Sequence, residues 1–308
     1  MKTPFRKLLL LAAFLACGSV SNAQLPNEKF GKPSSMEWEF VGWGDAINAN
    51  AIILCKTMKV TYQLSDQVFN NNQTSDIGFE NIDDFGKNQI DMSDILVKYE
   101  VGLRTKILKP DGAKHANIDI TYYNADNDNN INADILKDLK IRVFTKNKKG
   151  KVEKRNINTD SFVRERINDN YMVLHVVMPY VPPGSIIEYQ YNITSNRPTF
   201  LYDWVFQESI PTVRSKCDID IPAILQFQMN TPINKLIKSS VELGHLAYDT
   251  NRPDLKKGKS CPTNHYKIVG DYILPEDEKV ANFTSQVTTP NATLPAYMPI
   301  GHTHLKLK

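Results

Sequence analysis

The chain has 308 residues, 41% hydrophobic and 23% charged, with 37 Lys+Arg against 34 Asp+Glu. The surplus of positive charge sits entirely in Lys2, Arg6 and Lys7, so the rest of the chain is near neutral. That balance excludes an electrostatic nucleic-acid or anionic-membrane binder, and the length suits one large all-β domain or two smaller ones.

Residues 1–23 read as a leader. Three basic residues precede the apolar run LLLLAAFLA, and small residues Ser21 and Ala23 occupy the −3 and −1 positions before Gln24. The expectation is export, to the periplasm or beyond, with Gln24 as mature N-terminus. FLACGS offers a competing lipoprotein site at Cys17, for which Phe14 is a poor −3 residue. No other apolar run is long enough for a transmembrane helix. An N-terminal segment (24–44) follows the leader.

From residue 45 to 281 strand signals are dense. Ala49 to Leu64 is apolar and then alternates through Met58, Val60 and Tyr62. Asp94 to Leu108 alternates through Val97, Tyr99, Val101, Leu103 and Ile107, the period of a half-buried strand. The turn chemistry of Lys109-Pro-Asp-Gly112, followed by Ile118, Ile120 and Tyr122, reads as a hairpin. Leu139 to Ile157 reads as another strand and turn, around Lys149-Gly150. Tyr171 to Val181 is nearly all apolar, as a central strand would be.

Pro182-Pro183 end that strand because proline donates no ladder hydrogen bond, and Gly184 allows the turn. The next strand places Ile187, Tyr189 and Tyr191 on one face and Ile186, Glu188 and Gln190 on the other. Further strand signals lie at Tyr202–Pro211 and Cys217–Met229. Thr231 to Gly244 reads as a helix, with Thr231 as cap, Pro232 in the first turn and Gly244 as stop, although Val241 onward also alternates like a strand. The tail 282–308, rich in Thr, Pro and Asn, reads as irregular. The pattern implies an all-β fold, an antiparallel β-sandwich of large curled sheets with few short helices.

At this point the residues resemble a known family. Arg104, Lys106, Ile107 and Leu108 before the turn are the first piece of its pattern. Pro179, Val181, Gly184, Ser185, Ile187, Glu188 and Tyr189 are the second; Trp204, Phe206, Gln207, Ile210, Pro211 and Ser215 are the third. Together they resemble domain of unknown function 3857, an exported bacterial β-domain that usually precedes a transglutaminase-like domain. The resemblance covers roughly 45–229. It implies a scaffold role for Arg104, Pro179, Gly184, Glu188, Tyr189, Trp204, Gln207 and Pro211. Arg104 and Glu188, polar residues inside strand patterns, are open to two readings, plain exposure and a buried or cross-strand ion pair. It also implies an accessory module that lacks the catalytic part, serving an envelope protein, peptide or glycan partner.

Candidate chemistry elsewhere is thin. Cys55, Cys217 and Cys261 are an odd set after the leader, so at most one disulfide is open to them. Cys261 and His265 are the only close Cys–His pair, with no third group in view. Asp126, Asp128, Asn130, Asn132 and Asp134 alternate like calcium ligands, yet Ile131 and Lys137 replace the glycine and glutamate of a calcium loop. His302 and His304 lack a third zinc ligand. Trp38, Trp43, Tyr122 and Tyr123 could line a glycan or peptide groove, although core packing accounts for them too. No cofactor and no catalytic residue is expected.

Overall fold

The computed structural model describes residues 25–64, 95–125, 133–158, 162–222, 225, 227–230, 235–247, 260–275, 277, 284–287 and 299–300. After a five-residue helix, α1 (Ser35–Glu39), the described elements are strands and short 3₁₀ turns. The strands are β1 (Ala51–Leu64), β2 (Ile95–Ile107), β3 (Ile118–Tyr123), β4 (Ile135–Lys146), β5 (Val152–Ile157), β6 (Val163–Asn168), β7 (Tyr171–Val176) and β8 (Ile186–Ser195). They continue with β9 (Asp203–Trp204), β10 (Thr212–Pro222), β11 (Phe227–Asn230), β12 (Ile237–Ala247), β13 (Ser260–Ile273), β14 (Thr284–Val287) and β15 (Pro299–Ile300). The fold is all-β.

Eight strands form the main sheet, in the order β12-β13-β10-β1-β2-β8-β4-β5, and β3-β7-β6 form a smaller one. The main sheet is mixed and not purely antiparallel: β1 and β10 run parallel, Lys56 opposite Ser215 and Val60 opposite Ile219. Strands so far apart in sequence need no hairpin between them, so local turn signals carry no information about their direction.

Period-2 alternation sets the faces. Met58, Val60 and Tyr62 of β1, Val97, Tyr99 and Val101 of β2, and Ile187, Tyr189 and Tyr191 of β8 point to one side. There they join Ile118, Ile120 and Tyr122 of β3 and Leu174 and Val176 of β7 in one core. Trp204 and Phe206 are fully buried in it, and Trp204 donates from Nε1 to Ser215 Oγ at 2.9 Å. The opposite, outer face holds a second cluster at one end, where Ile52, Leu54, Phe144, Ile186 and Val213 lie beneath Trp38, Phe40 and Trp43. Residues 25–44 therefore pack against the sheet.

Three local expectations are corrected. The 109–112 turn does not close a hairpin: Pro110–Ala116 is a 3₁₀ helix, β2 pairs with β1 and β8, and β3 pairs with β7 in the other sheet. The Asn50 carbonyl accepts from the Leu108 and Lys109 amides at 2.9 and 3.0 Å, directing the chain away from the main sheet. A Cβ at Gly112 would stand 2.1 Å from that carbonyl oxygen, so glycine is needed for the close approach. Of the helix expected at 231–244, residues 231–234 lie outside the described residues and 237–244 belong instead to β12, an edge strand among the described residues with a ladder to β13. The tail is not wholly irregular, since β14 pairs with β11 and β15 with β9.

The Pro182-Pro183-Gly184-Ser185 corner is a turn. The Ser185 amide donates to the Pro182 carbonyl at 3.2 Å, Gly184 sits at φ +84°, and its amide donates to the Ile107 carbonyl at 2.7 Å. The corner thus ties the start of β8 to the end of β2. Pro179 lies in the unpaired stretch leading to it. The leader residues 1–23 lie outside the described residues. Among the described residues no helix is long and apolar enough to cross a membrane.

Candidate functional site

The outer face of the main sheet carries the polar members of β1, β2 and β8. Register places Arg104 directly opposite Glu188, and both are buried, at 3% and 1% exposure. Nε donates to Glu188 Oε2 at 2.6 Å, Nη1 to Glu37 Oε1 and the Asn27 carbonyl, each at 2.6 Å, and Nη2 to the Lys29 carbonyl at 2.7 Å; Nη2 also forms an ion pair with Glu188. Burial is the largest influence on Glu188 and pushes its carboxyl above the usual range, opposed by Arg104. The two carboxylates beside Arg104 hold its guanidinium charge more firmly, against the cost of burial.

Glu37 is where this cluster meets the helix. Ser34 caps α1 by accepting from the Glu37 amide at 3.3 Å, and Glu37 Oε2 returns the bond to the Ser34 amide. Its other oxygen binds Arg104. Sequence reasoning missed Glu37; the signal was Ser34-x-x-Glu37, a capping-box spacing. Lys106, two residues on from Arg104, donates to the carbonyls of Glu37, Trp38 and Phe40 at 3.2, 2.5 and 2.8 Å. Burial lowers its ammonium to about 8. Arg104 and Lys106 therefore fasten the N-terminal segment through its own carbonyl oxygens.

Beyond this fastening the outer face opens into a groove of about 260 Å³. Its floor is Thr57 and Lys59 of β1, Glu100 and Gly102 of β2, and Gln190 and Asn192 of β8. One wall is Asn27, Glu28 and Phe30, and the Phe30 ring carries the Arg142 guanidinium 4.4 Å from its centroid. The space exists because Gly102 has no side chain: a Cβ there would meet only Thr57 Oγ1 at 3.2 Å and the Tyr189 carbonyl at 4.0 Å. Amide, hydroxyl and single charged groups beside one aromatic ring suit a polar ligand with many hydrogen-bonding positions. The lining is dispersed over four chain segments, and no sequence motif announced it.

A second cleft, of about 340 Å³, lies between the small sheet and the 208–210 segment, lined in part by Asp119, His175, Glu208 and Ile210. His175 Nδ1 is 2.8 Å from Asp119 Oδ1, and Nε2 is 3.2 Å from Glu165 Oε2. Each ring nitrogen thus faces a carboxylate. On the core side, Lys56 is buried over the Trp204 ring, 4.5 Å from its centroid, donating to the Val205 carbonyl at 2.9 Å and to Glu208.

Of the cysteines, Cys55 is among the residues that line the groove. Cys55 is buried and its thiol is pushed up to about 12, mainly by burial; Cys217 is fully buried and burial pushes its thiol up as well. Cys261 and His265 lie on the same strand, β13, and four strand residues set their backbones roughly 13 Å apart. His265 Nδ1 instead meets Asp220 Oδ1 at 2.7 Å.

Of the calcium-like set, Asp126, Asp128, Asn130 and Asn132 lie outside the described residues, as do His302 and His304. Asp134 is buried, accepts from the Tyr202 hydroxyl and pairs with Arg197 Nη2 at 3.1 Å, so it is engaged inside the fold. Among the described residues no cluster of three or more His, Cys, Asp or Glu could hold a metal ion. The four aromatic groove candidates do not converge. Trp38 and Trp43 cover the outer-face cluster, Tyr122 is buried in the core, and Tyr123 lies under Arg197. Tyr189 and Trp204 are core residues, and Gln207 donates to the carbonyls of Leu274, Pro275 and Asp277. Pro211 leads into β10, its carbonyl accepting from the Ile53 amide at 2.9 Å.

An all-β domain with a mixed sheet, a second small sheet and a buried Arg–Glu pair across β2 and β8 is thus the class of protein in hand. A family model described as a domain of unknown function with solved structure, DUF3857, matches residues 93–252, and the chain belongs to that family. No curated protein matches it. A crystal structure from Parabacteroides distasonis, described as a "putative protease", is similar at 12% identity with a TM-score of 0.47, over 78% of this chain. The present chain spans 41% of that one.

Proposed function

We propose that the chain is an exported, non-catalytic accessory module that offers its outer-face groove to an extended segment of an envelope partner. The observation that carries this reading is the contrast between the two kinds of polar residue. The motif charges Arg104 and Glu188 are buried and paired with each other and Cys55 and Cys217 are buried, whereas the groove presents unburied hydrogen-bonding side chains over a gap left by Gly102. A sandwich-like support, two sheets sharing one core, would stand behind that groove. Export rests on the leader features of residues 1–23, and service beside a transglutaminase-like domain rests on the family resemblance.

A glycan is the second reading. It is favoured by Phe30 standing beside the amides Asn27, Gln190 and Asn192, a pairing of ring face and hydrogen-bonding groups that also suits sugars. Calorimetric titration with a panel of tetrapeptides and chitooligosaccharides tests both. A probe of one class should bind the wild-type protein and bind Gly102→Leu, whose side chain fills the groove, at least about tenfold more weakly, since that is only ~1.4 kcal/mol. Equal binding by both proteins, or chemical conversion of the probe, would overturn the proposal.

A further inference from the structure

The two ends of the eight-stranded sheet differ in how they meet solvent. At one end β5 carries Glu153, Lys154 and Arg155 in its six residues, all exposed. A charged edge of that kind resists pairing with another strand. At the other end β12 is eleven residues long and has no neighbour beyond it among the described residues. It contains no proline, and its charged residues are Lys238 and Glu242 alone. Val241 and Leu243 are 58% and 87% exposed. They alternate with Lys238 and Glu242 and share the face of Ile237, which is buried in the core. The core-facing side of the sheet therefore continues past its cover as an apolar stripe on an edge that is open among the described residues.

We propose that a second copy of this chain docks on this edge, β12 against β12, antiparallel about a two-fold axis through Ser240. The strand is self-complementary in that register. With Ser240 opposite Ser240, Lys238 stands opposite Glu242 and Ile237 opposite Leu243, each pair occurring twice by symmetry. Sliding by two residues places Lys238 opposite Gly244 or Ser240, and the charge pair is lost. Directly opposed residues of an antiparallel pair are close enough for charge to select the register. The edge hydrogen-bonding groups are satisfied in the same step, and Val241 and Leu243 of the two copies come together on the core side.

The test is analytical ultracentrifugation of the purified protein and of two single charge reversals. Wild type sediments as a dimer. Lys238→Glu and Glu242→Lys each place like charges opposite one another at both symmetric positions, so each alone should dissociate about tenfold more readily or worse. Mixing the two variants restores Glu opposite Lys at every position, and a heterodimer forms. The double variant Lys238→Glu/Glu242→Lys also dimerises. Thermal melting of each single variant checks that it is folded; the mixing result stands even if one of them melts lower. A monomeric wild type, single variants that dimerise as wild type does, or a mixture that stays monomeric would each overturn the proposal.

Discussion

Replacing Arg104 by methionine keeps an unbranched, flexible stem, two atoms shorter, and removes the charge from between two buried carboxylates. Glu37 and Glu188, at 0% and 1% exposure, would then face each other with no cation, and the Asn27 and Lys29 carbonyls would lose their donors. Breaking a buried pair by removing one partner costs about 3–5 kcal/mol. For a chain of this size that lowers the melting temperature by roughly 10 °C. Glu188→Gln should cost less, about 1–3 kcal/mol, because Arg104 keeps Glu37 and the amide can still accept from the Gly31 amide.

The methionine variant should also acquire a pH dependence of definite sign. Without Arg104 nothing of that strength opposes burial at Glu188, and its folded pKa, already above the unfolded value of about 4.3, rises further. Protonation then stabilises the folded state, fully below the unfolded pKa, and this contribution is lost as pH rises through the folded one. The gap between variant and wild type therefore narrows from pH 7.5 to pH 5. Chemical denaturation followed by tryptophan fluorescence measures both effects. A loss under about 1 kcal/mol, the scale of a surface pair, or a gap that widens on acidification, would refute the assignment of Arg104 as the central cation.

Three further outcomes follow from the same coordinates. Asp203 is buried, one of its oxygens has no partner among the described residues, and burial pushes its carboxyl up to about 7. Its folded value lies above the unfolded one, so the wild type loses stability between pH 4 and pH 8, and Asp203→Asn should be the more stable by about 1–3 kcal/mol at pH 8, with little difference at pH 4; denaturant titrations at both pH values decide it. Gly112→Ala forces a Cβ against the Asn50 carbonyl and should cost about 1–3 kcal/mol, read as a lowered denaturation midpoint. In Cys261→Ser, Cys55 and Cys217 should resist a thiol reagent at pH 8 until denaturant is added, and prompt labelling of either would show a thiol the fold does not bury.

Alternation within strands was legible because each face of β1, β2, β3 and β8 meets one environment, and period 2 records that in the residues themselves. Arg104 and Glu188 stood out as charges inside apolar strands, which made their pairing one of two readings. What sequence could not carry was partner choice between distant strands. The 109–112 turn has the chemistry of a hairpin, yet the strands it joins lie in different sheets, a matter settled by β7 and β8 more than fifty residues later. At 231–244 the helix cues and the alternation of Val241 and Leu243 compete, and β13 decides in favour of the strand. The groove was invisible for a related reason: its lining comes from β1, β2, β8 and the N-terminal segment, and its volume from a side chain that Gly102 does not have.

Hydrogen–deuterium exchange with mass spectrometry, on the protein saturated with the peptide or glycan probe that binds it best, reads ligand position and probe integrity together. Protection confined to residues 27–30, 55–59, 100–104 and 188–192, with the probe recovered at its original mass, is the predicted result. Protection centred on the cleft around His175, or a probe recovered as cleavage or transfer products, would contradict a non-catalytic module that binds through its outer face.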